Sequence, residues 1–226
     1  MIVSDWISNN FIEIFGAVTG IVYVFLEIKQ TIWLWPVGLI TSAVYIWVFF
    51  ITKIYADMSL QGYYLVISIF GWYWWTRGMN GRKGEEEKGR SKRSEDSASA
   101  ERGEGENIEL QVTRLTLRTG VILALVFVLL YVIMWLILTR LTDSPVPVRD
   151  SFITSLSIIA TWMLARKIYE HWFLWIVVNF TSAVLFLTRG LYPTVILYLV
   201  YGIMSFAGLV AWKKTIKTNL EKSKNE

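Results

Sequence analysis

Two tryptophans and an asparagine share one face of an apolar stretch in the second half of the chain. Trp172, Trp175 and Asn179 stand at positions i, i+3 and i+7, a spacing that places three side chains on the same side of a helix. Indole faces attract cations, and an amide both donates and accepts hydrogen bonds. The three residues therefore predict either a helix contact or a binding site for a flat, cationic, hydroxylated ligand.

The composition around this stretch predicts a membrane protein. Apolar residues make up 54% of the 226 residues and charged residues only 18%, whereas about a quarter of the residues of a soluble domain are charged. The chain has no cysteine, which excludes disulfides and thiolate metal sites. Its net charge of +4 comes from basic residues beside apolar blocks, a pattern typical of loops held on the cytoplasmic side rather than of nucleic-acid binding.

The apolar blocks predict an all-α integral membrane protein with seven transmembrane helices. Residues 77–113 are mixed in charge and rich in glycine and serine, so we expect a disordered cytoplasmic loop there. Most lysines and arginines fall in this loop, in two other connections on the same side and in the tail, which predicts an outside N-terminus and a cytoplasmic C-terminus. The predicted spans are 11–28, 33–51, 59–76, 117–139, 150–165, 172–187 and 192–212.

An internal repeat groups these spans into two units of three helices. The string T-S-A-V occurs at 41–44 and again at 181–184, in each case six residues after a tryptophan. The pair Gly71 and Trp75 recurs with the same spacing as Gly208 and Trp212. The predicted organisation is a first unit at 1–76, the loop at 77–113, a linker helix at 114–141, a second unit at 142–214 and a tail at 215–226.

The number of helices in each unit fixes how the units are related. Three helices followed by one linker helix start the second copy on the same side of the membrane, so the units are parallel, as in the SWEET sugar transporters, and a substrate site is expected near the midplane. Aligning the T-S-A-V strings places Asn179 opposite Leu39, and aligning the glycine–tryptophan pairs places Gln61 opposite Tyr198. The two amides thus occur in one copy each, as an asymmetric ligand requires.

Several chemistries are excluded by what the sequence lacks. There is no Walker A motif, and span 7 has no lysine before Lys213, so ATP-driven pumping and a rhodopsin-type retinal site are not expected. Carboxylates stand only near span ends, which favours an uncoupled, facilitative carrier. We predict no enzymatic activity, no cofactor and no metal site. The single histidine, His171, is interpreted as a polar residue at the membrane boundary.

Most tryptophans have a simpler explanation as part of an aromatic belt at the membrane interface. For Trp172 the sequence does not decide between the belt and a role in the binding site. Trp175 lies deeper and on the same helical face as Asn179, which favours the binding site. Tyr23, Tyr45 and Tyr198 are further candidates for a site. The belt interpretation is applied to Trp6, Trp33, Trp72, Trp74 and Trp212.

The chain resembles the PnuC (Pnu) family of bacterial vitamin transporters over residues 11–214, apart from the charged insertion. The features that carry the resemblance are W-x-x-W-x-x-x-N at 172–179, D-S at 150–151, W-P-x-G at 35–38 and G-W-Y-W-W at 71–75. The resemblance implies facilitated diffusion of nicotinamide riboside across the bacterial inner membrane, retention by cytoplasmic phosphorylation, and a homotrimer.

The resemblance also implies which residues bind substrate: Trp172, Trp175, Asn179 and, on span 3, Gln61. Members of the family also carry thiamine or riboflavin, and because nicotinamide riboside and thiamine both present a cationic ring, the residues do not separate these two. A hypothesis of a different class is a receptor or adaptor that does not transport and works through the 77–113 loop.

Overall fold

The computed structural model describes residues 11–51, 58–76, 111–141, 146–188, 190 and 192–225. Within these ranges the chain forms seven α-helices and no β-strand, with a single isolated bridge between Thr113 and Ile168. The all-α prediction is therefore confirmed. The helices are α1 (Phe11–Ile28), α2 (Leu34–Ile51), α3 (58–76), α4 (Leu117–Leu141), α5 (Pro147–Ala165), α6 (His171–Thr188) and α7 (Tyr192–Asn225).

Three of the described helices are long and apolar enough to cross a bilayer by length and composition: α4, α6 and residues Thr194–Asn219 of α7. Shorter apolar stretches cover Phe15–Ile28 in α1 and Leu34–Val48 in α2. No residue of the linker α4 is fully buried; one side packs part-buried against α5 through Leu123, Phe127 and Leu130, and its outward side chains are mainly valine, leucine and isoleucine. Such a surface suits hydrocarbon rather than water.

The same turn joins the first two helices of each unit. Gln30 and Lys167 stand 137 positions apart, and both have a left-handed backbone conformation, with φ of 55° and 51°. The backbone N–H of Gln30 donates to the Glu27 carbonyl at 3.0 Å, and that of Lys167 donates to the Leu164 carbonyl at 2.8 Å. The α1–α2 and α5–α6 turns are thus copies of one structure, and 137 residues is the period of the repeat.

A tryptophan pair packed around a glycine recurs with the same period. Trp35 meets Trp75 edge-on at 5.4 Å between ring centroids, and Trp172 meets Trp212 in the same way at 5.8 Å. In each unit the ring of the first tryptophan lies against a glycine on the third helix, Gly71 or Gly208, where even a methyl group would overlap the indole.

This period corrects the alignment predicted from the T-S-A-V strings, which are three residues out of register. The structural counterpart of Trp35 is Trp172 rather than Trp175, and Asn179 corresponds to Ser42 rather than to Leu39. The physical reason is that the buried tryptophan–glycine contacts align the units, whereas a short identity in apolar helices carries no structural constraint. The pairing of Gln61 with Tyr198 has the 137-residue period and is kept.

The two units interlock through the ends of their helices. The Trp212 indole N–H donates to the Glu27 carbonyl at 3.1 Å, and the Trp75 indole N–H donates to the Ala165 carbonyl at 3.2 Å. In addition, the Lys167 ammonium lies 4.2 Å from the centroid of the Trp75 ring. The third helix of each unit therefore contacts the end of the first helix of the other unit.

The last helix continues well beyond the predicted end of span 7. Helix α7 runs to Asn225 instead of giving way to a tail near residue 214. The added turns lack glycine and proline, carry an exposed Lys217–Glu221 pair at i, i+4, and bury Ile216. Gln30 also donates a hydrogen bond to Thr215 at 3.3 Å. Favourable helix formers and these contacts explain the extension.

The end of the charged insertion is ordered. The predicted loop at 77–113 lies outside the described residues as far as 110, but residues 111–113 pack against the second unit. Val112 is 8% exposed, Thr113 accepts a hydrogen bond from the Tyr169 N–H at 2.9 Å, and its own N–H donates to Lys167 at 3.0 Å. The predicted loop boundary is wrong at these three residues, because Val112 supplies an apolar side chain that the core can bury.

We expect Gly20→Ala to lower the thermal stability of the protein, because a methyl group at Gly20 would overlap the Tyr201 hydroxyl. The predicted cost is about 1–3 kcal/mol, as for other overpacked sites. Adding Tyr201→Phe should restore much of the loss, since the next ring atom, Cζ, lies 3.0 Å away. Unfolding midpoints of the three proteins in one detergent test this prediction. A Gly20→Ala protein as stable as its parent would contradict it.

Candidate functional site

Asn179 is buried in the middle of α6 and is held by the neighbouring helix. Its side-chain nitrogen donates to Ser205 Oγ at 3.1 Å, and the Ser205 hydroxyl donates to the Tyr201 carbonyl at 2.8 Å. Because a carbonyl only accepts, the serine oxygen must accept from Asn179, which fixes the orientation of the amide. The amide oxygen and the second N–H have no hydrogen-bond partner within the described chain, so both are available to a ligand.

Trp175 lies one turn before Asn179 and is half-buried. Its ring packs against the tryptophan-rich core that both units share. Its indole N–H is enclosed and meets no acceptor in the part of the chain that the structure describes. A buried donor without a partner costs about 1–3 kcal/mol, so a ligand oxygen at this position would bind to a group that the protein leaves unsatisfied.

Trp172 belongs to the packing that is common to both units. It is fully buried, it meets Trp212 edge-on, and its indole N–H has no acceptor among the described residues. Its counterpart Trp35 is also fully buried and has an equally unpaired N–H. These properties are therefore explained by the repeat, although Trp172 lies only one turn from Trp175.

A comparison of the units shows where the second one departs from the first. At the position of Trp175 the first unit has Gly38, where an added Cβ would meet Ser68 Oγ at 2.9 Å and the Tyr23 ring at 3.1 Å. The counterpart of Tyr23 in the second unit is Ala160, which is fully buried. The aromatic ring thus comes from α1 in one unit and from α6 in the other, which is a packing reason for Trp175.

No such exchange accounts for Asn179. Its counterpart Ser42 is also buried, and Ser205 has the counterpart Ser68, which donates to the Tyr64 carbonyl at 2.7 Å just as Ser205 donates to Tyr201. The serine on the neighbouring helix is therefore the same in both units, whereas the amide is present only in the second. Asn179 is the residue of the candidate site whose side chain the packing least explains.

Gln61 lies in the other unit, on α3, and is not brought next to Asn179. It stands fourteen residues before Trp75, which is about 21 Å along the helix axis, whereas Asn179 is only about 10 Å from Trp172. It is half-buried and makes no hydrogen bond within the described residues. A ligand that touches both amides would have to extend about 10 Å along the bundle.

His171, interpreted from the sequence as a polar residue at the membrane boundary, is part of a buried contact between the units. It is fully buried, and its Nε2 lies 3.0 Å from Glu27 Oε1 across the two units. Sequence reasoning missed this pair, although each partner is an isolated ionisable residue where an apolar span meets a loop. The pair itself could not be recognised, because 144 residues separate the two.

The tryptophans assigned to the aromatic belt differ in their exposure. Trp33 is 68% exposed and Trp72 is 42% exposed, as a belt requires. Trp212 is fully buried between the units, so the belt interpretation is wrong for it. Trp74 is half-buried, with the Arg166 guanidinium 4.3 Å from its ring centroid, and Trp6 lies outside the described residues.

Residues 10–214 match the model of the nicotinamide mononucleotide transporter family. The chain belongs to this family. It is 26% identical over 211 residues to the nicotinamide riboside transporter PnuC of Escherichia coli, with 90% of this chain and 85% of that protein covered. It is 24% identical over 206 residues to the riboflavin/roseoflavin transporter RibM of Streptomyces davaonensis, with coverage of 88% and 83%.

The fold of the chain is also found in a solved transporter structure. A crystal structure of the vitamin B3 transporter PnuC superposes with a TM-score of 0.69 at 24% identity, covering 96% of this chain and 86% of that chain. This likeness confirms the seven-helix arrangement of two three-helix units and a linker. The family match makes the chain a transporter, and its long apolar helices fit a multi-pass membrane protein.

Proposed function

We propose that the protein carries nicotinamide riboside across the bacterial inner membrane by facilitated diffusion. The observation on which this rests is the asymmetry at Asn179, a buried amide with free hydrogen-bonding groups on a helix whose counterpart carries a serine. An amide that both donates and accepts suits the ribose hydroxyls. The name of the Escherichia coli relative supports the same substrate.

The aromatic part of the proposed site suits the nicotinamide ring. In our proposal Trp175 lies against the cationic ring, Trp172 supports it from below, and Asn179 binds the ribose. A delocalised cation over an indole face is stabilised by about 0.5–2 kcal/mol. Gln61 is the fourth proposed substrate residue. Because of its distance from Asn179, we assign it either to the far end of the bound ligand or to a contact that the substrate makes before it reaches the site.

The proposed mode of transport is uncoupled. Glu27 is a carboxylate within a described helix. It lies at the end of α1 and is paired with His171. A coupling carboxylate inside the membrane is the usual mark of a proton or sodium carrier. We infer that phosphorylation of the vitamin in the cytoplasm retains it and so drives net uptake.

We also propose an orientation in the membrane and an oligomeric state. The excess of lysine and arginine in alternate loops supports a cytoplasmic C-terminus and an outside N-terminus. The family resemblance supports a homotrimer. The apolar outer surface of α4 is compatible with contact either with lipid or with another copy.

Binding calorimetry on the purified protein with nicotinamide riboside, thiamine and riboflavin tests the substrate. We expect the tightest binding for nicotinamide riboside, because it combines a small cationic ring with ribose hydroxyls. Thiamine is the first alternative, since it shares the cation. Riboflavin is the second, favoured by the likeness to RibM, and tighter binding of either vitamin would overturn the assignment.

Deleting residues 80–110 separates a carrier from an adaptor. In a carrier we expect uptake to stay within about twofold of the full-length rate, because residues 111–113 still anchor the start of the linker to the second unit. The measurement is uptake of labelled vitamin into cells, with membrane abundance determined in parallel. Loss of uptake at normal abundance would favour a receptor or adaptor that works through the loop.

A further inference from the structure

One buried ion pair joins the last turn of α1 to the first residue of α6. Glu27 and His171 are at most 2% exposed, with 3.0 Å between Oε1 and Nε2. The other ring nitrogen, Nδ1, lies 2.7 Å from the Ile168 carbonyl. Because this carbonyl only accepts, Nδ1 carries a proton, and a second proton is shared between Nε2 and the carboxyl group. The contact therefore forms as a unit without net charge.

The repeat provides an internal reference for this contact. Counted along the 137-residue period, the counterparts of Glu27 and His171 are Leu164 and Leu34. Both leucines are fully buried in the same apolar core. We name the contact of Glu27 with His171 the α1–α6 junction, and the region of Leu34 and Leu164 the α2–α5 junction.

The two junctions differ in what it costs to separate them. When an ion pair parts, water hydrates both groups and returns the free energy that burial had cost. When packed leucines part, apolar surface is exposed with no compensation. Since leucines fill the equivalent position of the same fold, closure does not require a charged pair, and the polar junction is the one that can open readily.

We propose that the α1–α6 junction is the gate of the transporter and that the α2–α5 junction stays closed as the pivot. The inference rests on the proposed function as a carrier, since a carrier must open its site alternately to each side of the membrane. In this scheme α1 moves away from the start of α6, and Glu27 and His171 are the residues whose contact breaks and reforms in each cycle.

The junction is well placed to control access to the candidate site. The His171 ring lies 4.7 Å, centroid to centroid, from both Trp172 and Trp212, and the Trp212 indole donates to the Glu27 backbone carbonyl. Parting α1 from α6 therefore uncovers Trp172, one turn from Trp175. Glu27 and His171 act through these neighbours and are positioning residues, not ligands of the substrate.

The first test gives the α1–α6 junction the two leucines of the α2–α5 junction. The double variant Glu27→Leu with His171→Leu should fold, with a thermal midpoint at or above the parent's, because apolar replacement of a buried pair is often neutral or stabilising. We expect vitamin binding within about threefold of the parent but transport into proteoliposomes at least about tenfold slower, since opening now exposes leucine. Transport at the parent's rate would overturn the proposal.

The second test does not depend on the ion pair and uses the absence of cysteine from the chain. Two variants carry cysteine pairs, one at positions 27 and 171 and the matched control at 34 and 164. A short, cleavable bifunctional thiol reagent bridges each pair, and mass spectrometry confirms the bridge. We expect the first bridge to stop transport, with recovery on cleavage, and the control bridge to leave transport unchanged. Transport through the first bridge, or a block by the control alone, would overturn the proposal.

Rates in both tests are compared with the parent protein for whichever of the three vitamins it carries. If the parent transports thiamine or riboflavin, the proposed substrate is wrong and the gate is still tested. If the parent transports its vitamin and the bridged junction does not slow it, the gate is wrong and the proposed substrate is unaffected.

Discussion

Replacing Asn179 with alanine is expected to abolish vitamin uptake while leaving the protein folded. The amide has one oxygen and one N–H that no described residue satisfies, and these are the groups that we assign to the ligand. Each hydrogen bond lost in a buried site costs about 1–3 kcal/mol. Losing two should weaken binding by at least about 30-fold, because about 1.4 kcal/mol corresponds to a factor of ten.

The fold supplies a matched control for this variant. Ser42 is the counterpart of Asn179 in the first unit, is also buried, and is not part of the proposed site. Ser42→Ala should therefore keep both affinity and uptake close to the parent's. Calorimetry for binding and proteoliposome uptake for transport compare the two variants. Normal uptake by the Asn179→Ala protein would remove this residue from the site.

Gly208→Ala is expected to cost more stability than most other single substitutions in the described core. The new methyl group would overlap the six-membered ring of Trp172, which is fully buried and packed against Trp212 and His171. We expect a loss of about 3 kcal/mol, at the upper end of the range for overpacked cores. The measurement is the unfolding midpoint in detergent together with the amount of folded protein in membranes.

Gly202, on the same helix, is the control for this effect. A Cβ at Gly202 would meet no atom within 4 Å, so Gly202→Ala changes only the backbone preference. Alanine favours a helix over glycine by about 1 kcal/mol, and we expect this variant to be as stable as the parent or slightly more stable. Equal behaviour of the two alanine variants would show that the tryptophan–glycine contact does not hold α6 and α7 together.

The helices could be predicted because their signal is local. The sequence predicted α1 at 11–28, the bounds that the structure has, and the start of α4 at Leu117, since an apolar run bounded by charges specifies a membrane helix by itself. The end of α7 could not be predicted in the same way. Its last turns are polar and are stabilised by long-range contacts such as that of Gln30 with Thr215.

The residues of the candidate site could be predicted from their spacing along one helix, but their contacts with other helices could not. The spacing of Trp172, Trp175 and Asn179 follows from helical geometry, whereas Ser205 as the partner of Asn179 depends on how α6 and α7 pack. The true period of the repeat was already present in Gly71 and Gly208, but the T-S-A-V strings pointed to another register. Only contacts between helices decide between two alignments of apolar sequence.

The crosswise hydrogen bonds of Trp75 and Trp212 have a consequence for how the molecule is assembled. Neither three-helix unit can satisfy these indoles alone, because each acceptor belongs to the other unit. The units relate to each other as the subunits of an obligate dimer do, and α4, which has no fully buried residue, serves as their tether. By keeping one unit at a high effective concentration around the other, the linker makes this assembly independent of how much protein the cell contains.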